Sequence, residues 1–323
     1  MKYHRLTQEE RYQIYALLKE GLSMSAIAKN IGKDKSTISR ELKRNKGQRG
    51  YRPKQAHAFA KERVRLKIKS RYLQEEQIKY IKEKIELKWS PQQISGRMKI
   101  DGLSPVSHET IYRYILRDKD SGGKLYLNLR HKHKRYKKRY GSSDRRGEIP
   151  NKTSIEERPS IVEEKKRIGD FEIDLMIGRD HKQALVTMVD RKSKFTLIKK
   201  IPRKQSSLVE VALIEMLLPL KQWVHTITTD NGKEFAAHES IAKRLDADFY
   251  FCHPYASWER GLNENTNGLI RQFFPKGSEF TNITQTQVLK VQNNLNHRPR
   301  KSLSYKTPAE VFYATISGLE NSA

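Results

Sequence analysis

Phe171-Glu172-Ile173-Asp174-Leu175-Met176-Ile177 is an apolar run with carboxylates at alternate positions, and Asp170, Glu172 and Asp174 would share one face of a strand. Working outward, Ala184 to Val189 and Phe195 to Ile201 are two further strand-like runs, set off by the polar turns Gly178-Arg179-Asp180-His181 and Asp190-Arg191-Lys192-Ser193. A helical stretch from Ser206 to Leu218 ends at Pro219, and a fourth strand runs through Val224-His225-Thr226-Ile227-Thr228-Thr229 to Asp230. Asn231-Gly232, a short helix from His238 to Leu245, a fifth strand from Asp248 to Cys252 and a long helix from Trp258 to Phe273 complete the pattern. Three meander strands followed by alternating helix and strand predict a mixed sheet whose parallel strands need helical crossovers. Asp174 falls in the middle of the first strand, Asp230 at the end of the fourth and Glu264 on the later helix.

These carboxylates sit in a chain of 323 residues with a net charge of +28 and a pI near 10.0. So basic a surface points to a phosphate backbone as partner. Hard divalent cations take oxygen ligands, so acids among so many cations point to metal-assisted chemistry on a polyanion. If the first and fourth strands are neighbours, Asp174, Asp230 and Glu264 can converge. Two Mg²⁺ ions about 3.5–4 Å apart would then polarise the scissile phosphate and stabilise the attacking and leaving oxygens, with Mn²⁺ able to substitute. Asp170 and Glu172 are the rivals of Asp174, whose mid-strand place favours it. No apolar run is long enough to span a membrane and no signal-peptide core follows Met1, so a cytoplasmic protein with no membrane partner is expected. The lone Cys252 excludes an intramolecular disulfide and reads as a packed apolar residue; no Cys/His cluster has zinc spacing.

The N-terminal third reads as helical. Thr7-Gln8-Glu9-Glu10 is a capping box, and Ile14, Leu17 and Leu18 give the first helix its apolar face. A second helix from Ser23 to Ile31, Gly32 and a polar turn, then a third helix from Lys35 to Arg44 make a helix-turn-helix. Its third helix would enter the major groove and present Lys35, Ser36, Thr37, Ser39, Arg40 and Lys43 to bases or phosphates. Basic and amphipathic helices follow, roughly Lys54 to Lys69 and Gln74 to Lys88. Ser90-Pro91-Gln92-Gln93 and Ser107 to Ile115 then suggest a second helix-turn-helix, or else a scaffold or dimerisation bundle. The cationic run Arg130 to Arg139, with Lys132, Lys134 and Arg135, reads as a linker that tracks DNA. The expected fold class is α+β and multidomain, with boundaries at 1–50 (helix-turn-helix), 51–120 (second helical domain), 121–160 (basic linker) and 161–323 (catalytic domain with C-terminal helices).

Taken together, Gly169-Asp170-Phe171-Glu172-Ile173-Asp174-Leu175, Thr229-Asp230-Asn231-Gly232-Lys233-Glu234-Phe235 and the run from His253 through Glu264 to Gly277 resemble the DDE transposases of the insertion-sequence-30 family. The separation of Asp230 from Glu264 fits that family's spacing. Asn296-His297-Arg298-Pro299-Arg300-Lys301-Ser302-Leu303 and Thr307-Pro308-Ala309-Glu310-Val311-Phe312 are similar to the tail these enzymes share with retroviral-type integrases. Two positions depart from the family: its usual Trp after Gly-Asp is Phe171, and its usual Gly before the catalytic Asp is Ile173. The resemblance implies a ribonuclease-H-like core in which Asp174, Asp230 and Glu264 are catalytic metal ligands. It also implies binding to terminal inverted repeats and target DNA, strand cleavage, and strand transfer by the freed 3′-hydroxyl. Two identical element ends suggest a homodimer in the DNA complex, with the protein on the nucleoid when bound. Asn267 and Arg271, near Glu264 on the same helix, are expected at DNA. The residues leave two alternatives open: a non-catalytic DNA-binding regulator derived from such an enzyme, or a nuclease without strand transfer.

Overall fold

The computed structural model of the chain describes residues 5–69, 73–130, 149–179, 183–254 and 256–320. They fall into two compact units, Met1–Ile78 and Lys79–Ala323.

The first unit holds α1 (Gln8–Lys19), α2 (Met24–Ile31), α3 (Lys35–Asn45), a small ribbon of β1 (Lys46–Gly47) and β2 (Gly50–Tyr51), and α4 (Pro53–Lys69). The expected capping box forms: the Thr7 amide donates to Glu10 Oε2 (2.8 Å) and the Glu10 amide to Thr7 Oγ1 (3.2 Å). Gly32 closes α2 with φ +65°, a left-handed conformation that glycine adopts without a Cβ penalty. Ile14, Ile27, Ala28 and Ile38 make the core, with Leu17, Leu18, Ile31 and Leu42 packed around it. Periodicity did not reveal the polar pin through this core. Arg11 grips Glu41 with two contacts (Nε–Oε1 2.7 Å, Nη2–Oε2 3.2 Å), and Tyr51 Oη donates to the same carboxylate at 3.2 Å. The unit also runs past the expected boundary at residue 50, because α4 packs on α1 and α3 and Arg63 Nη1 donates to the Arg44 carbonyl (3.0 Å).

In the second unit α5 (Glu75–Glu86), α6 (Pro91–Met98) and α7 (His108–Asp120) bury Ile81, Ile85, Ile94, Met98, Ile111 and Ile115. These helices are not a separate domain from 51 to 120. Arg97 on α6 clamps Glu310 through both guanidinium ends (2.7 and 2.6 Å), and Gln93 Nε2 donates to the Pro299 carbonyl (2.8 Å). Contacts between residues two hundred positions apart leave no trace in local sequence pattern.

The sheet contains β3 (Thr153–Ser154), β4 (Asp170–Ile177), β5 (Ala184–Asp190), β6 (Thr196–Ile201), β7 (Thr226–Thr229) and β8 (Asp248–Phe251), ordered β3-β8-β7-β4-β5-β6. The meander β4-β5-β6 is antiparallel, while β7 and β8 add to β4 in parallel. A short α8 (Ile161–Glu164) precedes β4; α9 (Ser206–Leu217) and α10 (His238–Leu245) are the crossover helices. After β8 come α11 (Gly261–Ile270), α12 (Gln285–Asn296) and α13 (Pro308–Glu320). β3 was not anticipated: its two residues lie in the stretch expected to be linker, yet pair in parallel with β8 while Ile149 joins the core.

The sheet separates two cores. On one face Phe171, Ile173, Val186 and Met188 meet α9 and α10 residues such as Leu213 and Ile241; on the other Met176, Leu185 and Ile198 meet Leu269, Ile270 and Val288 of α11 and α12. The residues replacing the family's usual Trp and Gly, Phe171 and Ile173, are thus core residues. Gly169 leads into β4 with φ +93°, and a Cβ there would lie 1.6 Å from the Trp223 carbonyl oxygen. Gly169→Ala should therefore cost at least about 2 kcal/mol, combining left-handed strain with a backbone clash. Urea denaturation should show a lower midpoint at unchanged slope; an unshifted midpoint would contradict this packing.

Candidate active site

The register of the central pair brings two acids together. Glu172 on β4 is opposite Thr228 on β7, and two residues further along each strand come Asp174 and Asp230. Arg260, in the turn before α11, reaches both: its Nη1 lies 3.3 Å from Asp174 Oδ1 and its Nη2 3.3 Å from Asp230 Oδ2. The Gly232 amide donates to Asp230 Oδ1 (3.1 Å), while Asn267 Nδ2 donates to Asp174 Oδ2 (2.7 Å). Asn267 is itself held by Thr187 on β5, whose Oγ1 donates to Asn267 Oδ1 at 2.9 Å. Asp174 and Asp230 open into a cavity of about 490 Å³ also lined by Lys204, Lys233 and Glu234.

Burial raises the Asp174 carboxyl above the usual carboxylate range, Arg260 opposes this and the nearby Asp230 adds to it. An all-oxygen donor pair whose ionised form is disfavoured fits a hard divalent cation, which would supply the missing positive charge. Asp170 and Glu172 do share the Asp174 face, but protein cations already serve them. Asp170 is held by Arg167 (2.9 Å at both oxygens) and by Thr226 Oγ1 (2.9 Å). Glu172 faces Arg191 at 3.3 Å and accepts from the Asn263 amide at 3.0 Å.

Glu264 differs from expectation. It is exposed on the first turn of α11, and among the described residues no group of three His, Cys, Asp or Glu stands close enough to hold a metal ion. Asn267 and Arg271, expected at DNA, have internal hydrogen-bond partners. Asn267 shapes the Asp174 carboxylate, and Arg271 donates to the Ile177 and Pro275 carbonyls (3.3 Å each) while lying over the Phe280 ring. The i,i+4 face they share points at the sheet. Arg260, four residues before Glu264, was visible in the sequence but nothing local marked it as the bridge. Cys252 is buried, with burial pushing its thiol up to about 12, as befits a packed residue.

On α3, Lys35, Ser36, Ser39, Arg40 and Lys43 are exposed and Thr37 is half-buried. Arg40 folds back on Ser36, its Nε donating to the Ser36 carbonyl at 2.9 Å. Lys132, Lys134 and Arg135 lie outside the described residues. No helix among the described residues is long and apolar enough to cross a membrane.

A helix-turn-helix unit and a second unit with paired acids on neighbouring parallel strands define a DNA-binding protein with an integrase-type core. Family models agree: a helix-turn-helix domain matches residues 2–45 and an integrase core domain residues 166–257. The transposase for insertion sequence element IS4351 of Bacteroides fragilis is 47% identical over 314 residues, covering 97% of this chain and 96% of that protein. Transposase InsI for insertion sequence element IS30A of Escherichia coli (strain K12) is 38% identical over 323 residues, covering 95% and 82%. The catalytic core domain of BIV integrase matches with a TM-score of 0.37 and 19% identity, over 47% of this chain and 98% of that one. The chain belongs to the IS30 family of insertion-sequence transposases.

Because the folded Asp174 carboxyl is raised above its unfolded value, its ionised form costs stability at neutral pH. That cost is absent below the unfolded value, about pH 3.9. Asp174→Asn should therefore melt at least as high as the parent at pH 7 without divalent metal, and the advantage should vanish as the pH falls to about 4. A variant that melts lower at pH 7 would show the carboxylate to be a net stabiliser.

Proposed function

We propose that this transposase binds the terminal inverted repeats of its own element through α3 and carries out divalent-metal-dependent strand cleavage and strand transfer at Asp174 and Asp230. The observation that carries this reading is the adjacent placement of two half-buried carboxylates, one within β4 and one at the end of the neighbouring parallel strand β7, in a chain of net charge +28. Asp174 and Asp230 would hold Mg²⁺, or Mn²⁺ in its place, and Glu264 on the facing helix would supply the third carboxylate of the triad. When bound, such ions act as Lewis acids on the phosphoryl oxygens.

The remaining work is positioning and charge neutralisation, since phosphoryl transfer needs little covalent help from protein. Asn267 fixes the Asp174 carboxylate, and the Gly232 amide fixes that of Asp230. Arg260 offsets part of the negative charge of the pair and would also offset charge on a bound phosphate. Lys233 and Lys204, on the cavity wall, favour entry of a DNA strand. The freed 3′-hydroxyl of the element end then attacks a target phosphodiester in line, giving up its proton and forming the new phosphodiester as the target strand's own 3′-oxygen leaves and takes up a proton. Two identical element ends favour a homodimer in the DNA complex.

Asp174→Asn, Asp230→Asn and Glu264→Gln should each abolish Mg²⁺-dependent cleavage of a terminal-repeat duplex while leaving its binding intact. Near-normal cleavage by one of them would remove that residue from the site. Conversely, Ser39→Ala combined with Arg40→Ala should leave the core folded but lower preference for the repeat over random duplex by roughly tenfold or more, the worth of one bidentate base contact. Footprinting decides it: full preference in the double variant would move specificity off these two residues. Joining of a labelled, pre-cleaved end to target DNA separates a transposase from a nuclease or a regulator.

A further inference from the structure

The second unit holds a cluster of cations that the acidic pair does not use. Arg298 and Arg300 follow α12, and Arg130 comes from the segment after α7. The three line one cavity of about 400 Å³ together with Lys301, Ser302 and Asn265. Arg298 is 2% exposed, yet its guanidinium meets only neutral acceptors: Nε donates to Gln93 Oε1 (2.8 Å) and Nη1 to Gln272 Oε1 (2.6 Å). Arg300 Nη2 donates to the Leu295 carbonyl (3.1 Å), and its buried Nε has no hydrogen-bond partner. Arg130 is exposed and donates to Asn265 Oδ1 at 3.2 Å. Among the described residues no carboxylate pairs with any of the three.

Such an arrangement is costly in isolation. Buried charges are normally paired, and like charges sharing a cavity repel. Burial together with the other guanidiniums pushes Arg298 down to about 9 and Arg300 to about 10. Elsewhere in the same unit the protein does provide counterions: buried Arg191 has Glu163 and Glu172, and buried Arg158 has Glu163. An unpaired arginine cluster opening to a cavity is matched by an anion that comes from outside. Arginine's planar fork suits phosphate oxygens in particular.

We propose that Arg130, Arg298 and Arg300 form a phosphate site that holds one backbone phosphate of the DNA strand being processed, apart from the scissile phosphate at Asp174 and Asp230. Asn265 links the two places. It follows Glu264 in sequence and lies on a different face of α11 from Asn267, so the cavity and the acids are separated by about one helix diameter, roughly 10 Å. A strand crossing α11 would then be gripped at a second phosphate and fixed in register for attack. That DNA is the source of the phosphate rests on the transposase reading; the existence of an anion site does not.

Two measurements on the full chain separate these claims. Without DNA, inorganic sulfate at constant ionic strength should raise the Tm of the parent but not of Arg130→Gln combined with Arg300→Gln; Arg130→Gln alone, at an exposed position, guards against misfolding and should show a reduced shift. Equal sulfate stabilisation of parent and variants would overturn the site. On a terminal-repeat duplex with single methylphosphonate replacements, the parent should lose about tenfold in binding at one phosphate away from the scissile bond, as expected for a lost charged hydrogen bond. The double variant should be indifferent at that phosphate. If no phosphate distinguishes parent from variant while sulfate does, the cavity takes a free anion and the DNA assignment falls. Cleavage persisting in Asp174→Asn would instead sink the catalytic reading and leave the anion site standing.

Discussion

Two carboxylates on neighbouring parallel strands repel each other, and one guanidinium makes their proximity tolerable. Arg260 bridges Asp174 and Asp230 while resting at the start of α11, so a single side chain ties β4, β7 and the helix covering them. The rest of the site hangs on this contact. The Asn263 amide reaches Glu172, Asn267 reaches Asp174, and Thr187 orients Asn267, each from a place set by how α11 lies on β4 and β5.

The distribution of ion pairs separates scaffold from working surface. Where charge has a structural task it is matched inside the protein: Arg11 with Glu41 between α1 and α3, Arg97 with Glu310 between α6 and α13, and Arg191 with Glu172 beneath the site. Removing one partner of such a buried pair leaves an uncompensated charge and is strongly destabilising. Where charge is matched only in part or not at all it lines cavities, negative at Asp174 and Asp230, which share the one guanidinium of Arg260, and positive at Arg130, Arg298 and Arg300. The first suits a cation and the second an anion.

The motif His297-Arg298-Pro299-Arg300 links these roles. Arg298 fastens α6 to the core through Gln93 and Gln272, so α6 is braced by the segment that lines the cationic cavity. The helical pair α6 and α7, which from sequence could be a second DNA reader, is built into the catalytic unit. A strand of DNA held there would be read against a surface rigidly connected to α11.

Much of the fold was legible because it is periodic. Apolar runs set off by polar turns marked β4, β5 and β6, capping boxes at Thr7 and Ser90 marked α1 and α6, and Gly32 marked the turn of the helix-turn-helix. The order of elements predicted a mixed sheet, while the adjacency of Asp174 and Asp230 was an expectation from the ribonuclease-H-like resemblance that the sheet order bears out. Local pattern carries no information about partners far apart in the chain. Arg260 as the bridge, Asn267 turned inward to Asp174, the short strand β3, and the reach of Arg97 to Glu310 all depend on which faces meet after packing. The sequence by itself determined which elements form and which acids lie at strand ends, because propensity and hydrophobic period act over a few residues. Only the tertiary structure decided which charges are paired within the protein and which face a cavity, because Coulomb interactions depend on distance in space and burial.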